Sequence, residues 1–259
     1  TTNRAIFQQY KYVLLYHLLI IQYNNNIFSF HTPSGSVDDP HMKGYTFIIR
    51  NKGMEGIEMR ILLINGSPKG KRSNSLKLAY SFIKGLENGC TSNKEELSVD
   101  ELHIASMNIG ACKGCFTCWQ KTPGRCCIND DMQTVIKKLI SADLILWSFP
   151  LYYFNVPGML KNLIDRQLPM SLPFMSSRQD GYGSGSHDAR YDMEGKRHVL
   201  ISTCGFYSVD ENYDSVLRMF DHFLGRGNYT TIFCGQGELF RVKELSVRTN
   251  EYLAAVKCA

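Results

Sequence analysis

The stretch that most constrains this chain covers residues 61–75, Ile-Leu-Leu-Ile-Asn-Gly-Ser-Pro-Lys-Gly-Lys-Arg-Ser-Asn-Ser. Four consecutive aliphatic residues read as a strand buried on both faces, as in a parallel sheet. A polar, glycine-bearing turn follows, and then Leu76, Leu78, Ala79, Phe82, Ile83 and Leu86 recur with the spacing of one helix face. A strand, a loop and a helix N-terminus in that order suit a phosphate, because the first amides of a helix lack intrahelical partners and small loop residues let an anion approach. Ser67, Ser73, Asn74 and Ser75 supply donors, and Lys69, Lys71 and Arg72 make the mouth positive, with Lys69 the one placed near the phosphate. A plainer reading has Ser73 or Asn74 merely capping the helix; capping accounts for one polar residue and not for seven. The loop is neither GxxxxGK(S/T) nor GxGxxG, which disfavours a nucleoside triphosphate or an ordinary dinucleotide and leaves a flavin mononucleotide phosphate.

From Met59 onward strand and helix patterns alternate. Residues 97–104 form the second strand candidate. Asp130 and Asp131 open a helix at its positive dipole end, with Met132, Val135, Ile136, Leu139 and Ile140 on the buried face. Residues 144–147, 199–203 and 230–234 are the remaining strands. Helices are expected over 157–166, with proline in the first turn, over 213–224 and over 242–256. This alternation predicts an α/β fold, a doubly wound five-stranded parallel sheet with helices on both faces and ligands outside the carboxyl ends of the strands. Residues 168–195 are too long for an ordinary connection and read as a lid or an interface element.

Residues 1–58 differ in composition, being rich in Tyr, Phe, Ile and Asn. Their apolar run, residues 12–21, is about half the ~20 residues a membrane span needs, and no small-x-small cleavage pattern follows it. Back-translation of residues 54–59 permits a purine-rich, ribosome-binding-like tract just upstream of the Met59 codon. Residues 1–58 are therefore expected to be translated leader, and 59–259 the domain. The last helix meets no stop signal before Ala259, the pattern of a chain cut short.

Nine cysteines, five of them between Cys112 and Cys127, form an odd count without a secretory signal, which argues for reduced thiols and a metal or redox site in the cytoplasm rather than a disulfide framework. The net charge of +5 is spread out, without a basic tract or basic-aromatic patterning, so no nucleic-acid partner is expected, and no membrane. Cys112-x2-Cys115-x2-Cys118-x7-Cys126 has the compact spacing of iron-sulfur ligands. Zinc and free or redox-active thiols are the alternatives, although structural zinc usually draws on two separated ligand pairs.

Three loops in order resemble the NADPH-dependent FMN reductase group of flavodoxin-like proteins: Ile-Asn-Gly-Ser-Pro-Lys with Ser73, Asn74 and Ser75; then Trp-Ser-Phe-Pro-Leu-Tyr-Tyr-Phe ending at Phe154; then Val-Pro-Gly-Met-Leu-Lys-Asn-Leu-Ile-Asp-Arg ending at Arg166. Within that group the cysteine spacing resembles the iron-sulfur flavoproteins. The resemblance implies that Ser67, Lys69, Ser73, Asn74 and Ser75 hold the FMN phosphate. It implies that Pro150, Leu151, Tyr152, Tyr153 and Phe154 pack along the isoalloxazine, with Thr203, Cys204 and Gly205 as a third flavin-side loop. It further implies a [4Fe-4S] cluster on Cys112, Cys115, Cys118 and Cys126, with Cys127 leaving the fourth ligand ambiguous. An aromatic run directly after a buried strand fits a flat apolar ligand; it fits equally a core beneath the insertion. The implied activity is an NAD(P)H-dependent flavin oxidoreductase, a homo-oligomer passing electrons to a quinone, flavin, iron-sulfur or other small-molecule or protein acceptor. A non-enzymatic flavodoxin-like electron carrier is the rival, although an acidic docking face would suit a carrier and this chain is basic.

Overall fold

A computed structural model describes residues 58–93, 96–178 and 185–258; the expected leader lies almost wholly outside these residues. Strand β1 (Glu58–Asn65) leads through the loop into helix α1 (Asn74–Asn93), and β2 (Glu96–His103) follows. A long cysteine-bearing loop contains one short helix, α2 (Thr117–Gln120), and ends at α3 (Met132–Ser141). Then come β3 (Leu144–Pro150), α4 (Gly158–Asp165), a hairpin of β4 (Ser171–Ser176) and β5 (Ser186–Ala189), β6 (Arg197–Thr203), α5 (Asp214–Leu224), β7 (Tyr229–Cys234) and α6 (Ser246–Cys258).

Five strands pair in the order β2-β1-β3-β6-β7, all parallel. The chain leaves β1 toward β2 on one side and continues through β3 on the other. The β1–β3 boundary is therefore the topological switch point, where open α/β sheets bind ligands. Alternate side chains of each strand serve two cores. Ile61, Leu63, Leu144 and Leu146 face α1 and α6, while Leu62, Ile64, Ile145 and Trp147 face α3, α4 and α5. Both faces are covered, which is why these strands are continuous aliphatic runs.

Two expectations need revising. The last helix starts at Ser246, not near 242, because short 3-10 turns at Gly237–Arg241 and Lys243–Leu245 precede it. Those turns are tied to the phosphate-side elements by Asn74 Nδ2 donating to Gly237 O at 2.7 Å and Lys77 Nζ donating to Phe240 O at 2.8 Å. The insertion is not a bare polar loop: β4 and β5 form an antiparallel hairpin braced on the cysteine loop. Trp119 Nε1 donates to Leu168 O at 3.1 Å, the Trp119 ring lies 4.8 Å from His187, and Arg190 Nε donates to Pro169 O at 3.0 Å. No helix among the described residues is long and apolar enough to cross a membrane.

Candidate functional site

At the carboxyl end of β1 the loop is held in shape by its own side chains. Buried Asn65 donates from Nδ2 to Gly70 O at 2.9 Å and to His103 Nδ1 at 3.0 Å, and its Oδ1 accepts the Ser67 amide at 3.2 Å. His103 Nδ1 is thus the acceptor, leaving Nε2 facing Glu101 Oε2 at 3.1 Å. Ser67 Oγ accepts the Lys69 amide at 3.3 Å, and Gly70 turns the chain at φ 55°. Gly66 must lack a side chain, since a Cβ there would sit 2.6 Å from the Leu160 side chain of α4. A loop formed before any ligand arrives spends less ordering entropy on binding.

Ser67, Ser73, Asn74 and Ser75 are all buried and lie together. Ser73 Oγ and Ser75 Oγ are 2.8 Å apart, so one hydroxyl proton of the pair stays free to donate outward. Asn74 Nδ2 spends one of its two protons on Gly237 O, and its Oδ1 is buried without a donor. An orphan acceptor at this point suits a ligand hydroxyl. Lys69 pairs with Glu238 at 3.3 Å on the surface, a contact worth at most about 1 kcal/mol and readily exchanged for an anion.

Pro150, Leu151, Tyr152, Tyr153 and Phe154 leave β3 beside this loop, and Gly66 N donates to Ser148 O at 2.8 Å across the switch point. The aromatics are not core. Tyr153 is 99% exposed, and Tyr152 and Phe154 are also open to solvent. Tyr152 and Asn155 exchange both backbone hydrogen bonds, at 2.8 and 3.0 Å. The two residues between them sit at φ 51° and 62°, the signature of a type I′ turn normally given to Asn and Gly. Thr203, Cys204 and Gly205 close the third side, with Leu151 N donating to Thr203 O at 2.9 Å and Gly237 N to Cys204 O at 2.8 Å. Exposed Phe206 stacks on Phe154 at 5.6 Å and 19°. Burial pushes the Cys204 thiol up, so it stays protonated.

The five clustered cysteines, Cys112, Cys115, Cys118, Cys126 and Cys127, line one small cavity of about 20 Å3 together with Arg166. Cys115 Sγ lies 3.6 Å from Cys127 Sγ. The Thr117 hydroxyl and amide, then Cys127, lower the Cys115 pKa to about 7. Burial raises Cys118, helped by the neighbouring Cys126, Cys115 and Cys112 thiols. Among the described residues no three His, Cys, Asp or Glu side chains converge as a single ion requires.

One element of this centre escapes sequence reasoning. Arg166 is buried and forms a fork with Asp130, Nη1 to Oδ2 at 2.7 Å and Nη2 to Oδ1 at 2.8 Å, while Nη1 also donates to Gly110 O at 2.9 Å. Asp130 additionally accepts the Gly110 amide at 3.1 Å and the Met132 amide at 3.2 Å. Asp131 ties down Asn108 at 2.7 Å. The base of the cysteine loop is thereby closed. Burial alone would raise the Asp130 pKa, but the Arg166 guanidinium and the two amides outweigh it and hold the carboxyl low.

A family model described as a flavodoxin-like fold matches residues 59–246. An iron-sulfur flavoprotein of Archaeoglobus fulgidus is 36% identical over 111 residues, 43% of this chain and 46% of that protein. An FMN-dependent NADH:quinone oxidoreductase of Pseudomonas syringae is 34% identical over 119 residues, 41% of this chain and 53% of that protein. The chain spans about half the length of the curated relatives it matches. Among solved structures, an NAD(P)H:quinone oxidoreductase from Methanothermobacter marburgensis superposes with a TM-score of 0.52 at 16% identity, covering 78% of this chain and 98% of the other; that likeness speaks for the fold.

Proposed function

The chain belongs to the family of flavodoxin-like fold, and from that premise we propose that it is an FMN-dependent NAD(P)H oxidoreductase with a cysteine-bound iron-sulfur centre. One observation carries the flavin reading. Tyr153 and Phe154 are held in the left-handed region and open to solvent beside a preformed phosphate loop, a strained arrangement that a flat ligand would repay. Ser67, Ser73, Ser75, Lys69 and the first-turn amides of α1 would hold the phosphate. Asn74 Oδ1 would accept from a ligand hydroxyl, and Pro150 to Phe154 with Thr203, Cys204 and Gly205 would border the ring. Bound there, FMN would supply hydride acceptance from a nicotinamide and onward electron transfer. This chain's residues orient it, and the exposed aromatic edge leaves room for a second flat molecule. The names of the Pseudomonas and Archaeoglobus relatives support both halves of the reading.

The gathering of five thiols supports the cluster half; at about 20 Å3 the space between them holds little more than one water, so the loop would open to take a cluster. A single zinc needs its ligands aimed at one point about 2.3 Å away, whereas these thiols surround a cavity without converging. A [4Fe-4S] cluster spreads four thiolates over its corners. Cys112, Cys115, Cys118 and Cys126 would be its ligands.

The test is a titration of FMN into protein carrying Ser67→Ala with Ser73→Ala. Losing two charge-assisted donors, each worth roughly 1.5–3 kcal/mol, should weaken binding by a hundredfold or more. Unaltered affinity places the phosphate elsewhere. Wild-type protein that binds FMN without consuming NADH or NADPH in the presence of a quinone is a carrier, not this enzyme.

A further inference from the structure

A second cavity, of about 780 Å3, opens on the α3 and α5 face of the sheet, away from the loops just described. Its origin lies in the lengths of two elements. β3 has seven residues and spans about 23 Å, but α4, which should cover it, has eight and spans about 12 Å. The chain then turns off at Arg166, pinned by Asp130, and runs into the hairpin. The lower half of the groove between α3 and α5 is left without a helix. The cavity is open to solvent along one side, and its volume falls within the 300–1,000 Å3 typical of small-molecule sites.

Trp147, Met170 and Phe223 give it an apolar, aromatic part, and polar side chains, Glu194, Arg197 and Asn228 among them, line the rest; His198 and Gln167 also border it. Trp147 Nε1 can only donate, and it donates to His198 Nδ1 at 3.2 Å. Burial, and secondarily Lys196, lower the His198 pKa to about 4, so the ring is neutral and its proton sits on Nε2. Gln167 is 9% exposed, and its side-chain nitrogen is buried without an acceptor. Leaving such a donor unpaired is unfavourable, and a ligand oxygen would relieve it. His198 and Gln167 are therefore donors, next to the Trp147 and Phe223 rings.

We propose that this cavity is a second small-molecule site, which takes a flat aromatic compound bearing hydrogen-bond-accepting carbonyl oxygens. It is separate from the flavin cleft, since His198 and Thr203 are five residues apart on β6, roughly 16 Å. It borders the cysteine cavity, because Arg166, Leu168 and Pro169 line the one while Gln167 and Met170 line the other.

The experiment is isothermal titration calorimetry of the oxidised protein with tetramethyl-1,4-benzoquinone, whose fully substituted ring resists addition of the exposed thiols, without nicotinamide so that nothing turns over. Three variants accompany it: Ala189→Trp, which fills the cavity from an exposed strand position, His198→Phe, which keeps a ring but removes the donor, and Phe154→Ala at the flavin rim. Saturable binding should weaken at least tenfold in the two cavity variants and persist in Phe154→Ala. Should His198→Phe fail to fold, Ala189→Trp alone decides. No saturable binding to the wild type, or binding that survives Ala189→Trp, overturns the proposal. The same binding by protein that takes up no FMN would uphold this site while sinking the flavin reading.

Discussion

Replacing Asp130 by Asn keeps the shape of the side chain and removes its charge, leaving the Arg166 guanidinium buried at 1% exposure without its carboxylate, with Gly110 O and the Cys126 side chain beside it. The Asn amide nitrogen would also face an Arg166 N–H, donor against donor. Breaking a buried pair from one side costs about 3–5 kcal/mol. At about 2–4 °C per kcal/mol for a domain of this size, the melting temperature should drop by roughly 6–20 °C. Arg166→Met should cost a similar amount, since it strands the carboxylate with only the Gly110 and Met132 amides. The double variant Asp130→Leu with Arg166→Met removes both charges. It should be far more stable than the sum of the Asp130→Leu and Arg166→Met singles predicts, with a coupling energy of about 2 kcal/mol or more. The acid dependence has a definite sign. A carboxyl held below its ordinary value of 3.8 adds stability that is fully present above that value and is lost as pH falls through the lower, folded one. Wild type and Asp130→Asn should therefore differ fully near neutrality and converge in strong acid. Thermal melts at several pH values measure all of this. Singles that add without coupling would show that the fork is incidental and that something else closes the cysteine loop.

Two further outcomes follow from single features. Giving the turn its preferred residues, Tyr153→Asn with Phe154→Gly, should relieve about 1–2 kcal/mol of backbone strain and raise the denaturant midpoint while weakening FMN binding; a destabilised variant with unchanged flavin affinity would mean the strain is not kept for a ligand. For the cysteines, Cys126→Ser should abolish iron and acid-labile sulfide uptake on anaerobic reconstitution and Cys127→Ser should not, because adjacent side chains cannot readily reach one iron; the opposite pattern moves the fourth ligand by one residue.

What could be read from the sequence follows from range. The runs at 61–64 and 144–147 identify buried parallel strands because two covered faces force unbroken aliphatic stretches. The phosphate loop is equally local, since strand, loop and helix start are contiguous. Tyr152, Tyr153 and Phe154 are ambiguous in sequence because an apolar run suits either a core or a ligand rim, and only their exposure separates the two. Asp130 looks like a helix-start carboxylate and does accept the Met132 amide, but its larger role depends on Arg166, 36 residues away, with no periodicity linking them. The hairpin was hidden for another reason. Its strands are largely exposed and carry no alternating pattern, so bracing by Trp119 and Arg190 holds it in place of an apolar face.

A single short segment sets the spacing of all three sites. Leu160 of α4 packs against Gly66, so the start of the helix fixes the height of the phosphate loop. One residue past its end, Arg166 reaches the cysteine cavity, and Gln167, Met170 and Ser171 line the larger cavity. Because α4 is only eight residues long, these contacts fall within a dozen positions of one chain segment rather than on separate elements. Each extra residue in α4 would rotate Arg166 by about 100° around the helix and carry it about 1.5 Å along the axis. Even one insertion would take the guanidinium away from Asp130, open the base of the cysteine loop and leave the phosphate loop unaltered. The length of α4 therefore sets where Arg166, and with it the base of the cysteine loop, lies relative to the loop that follows β1.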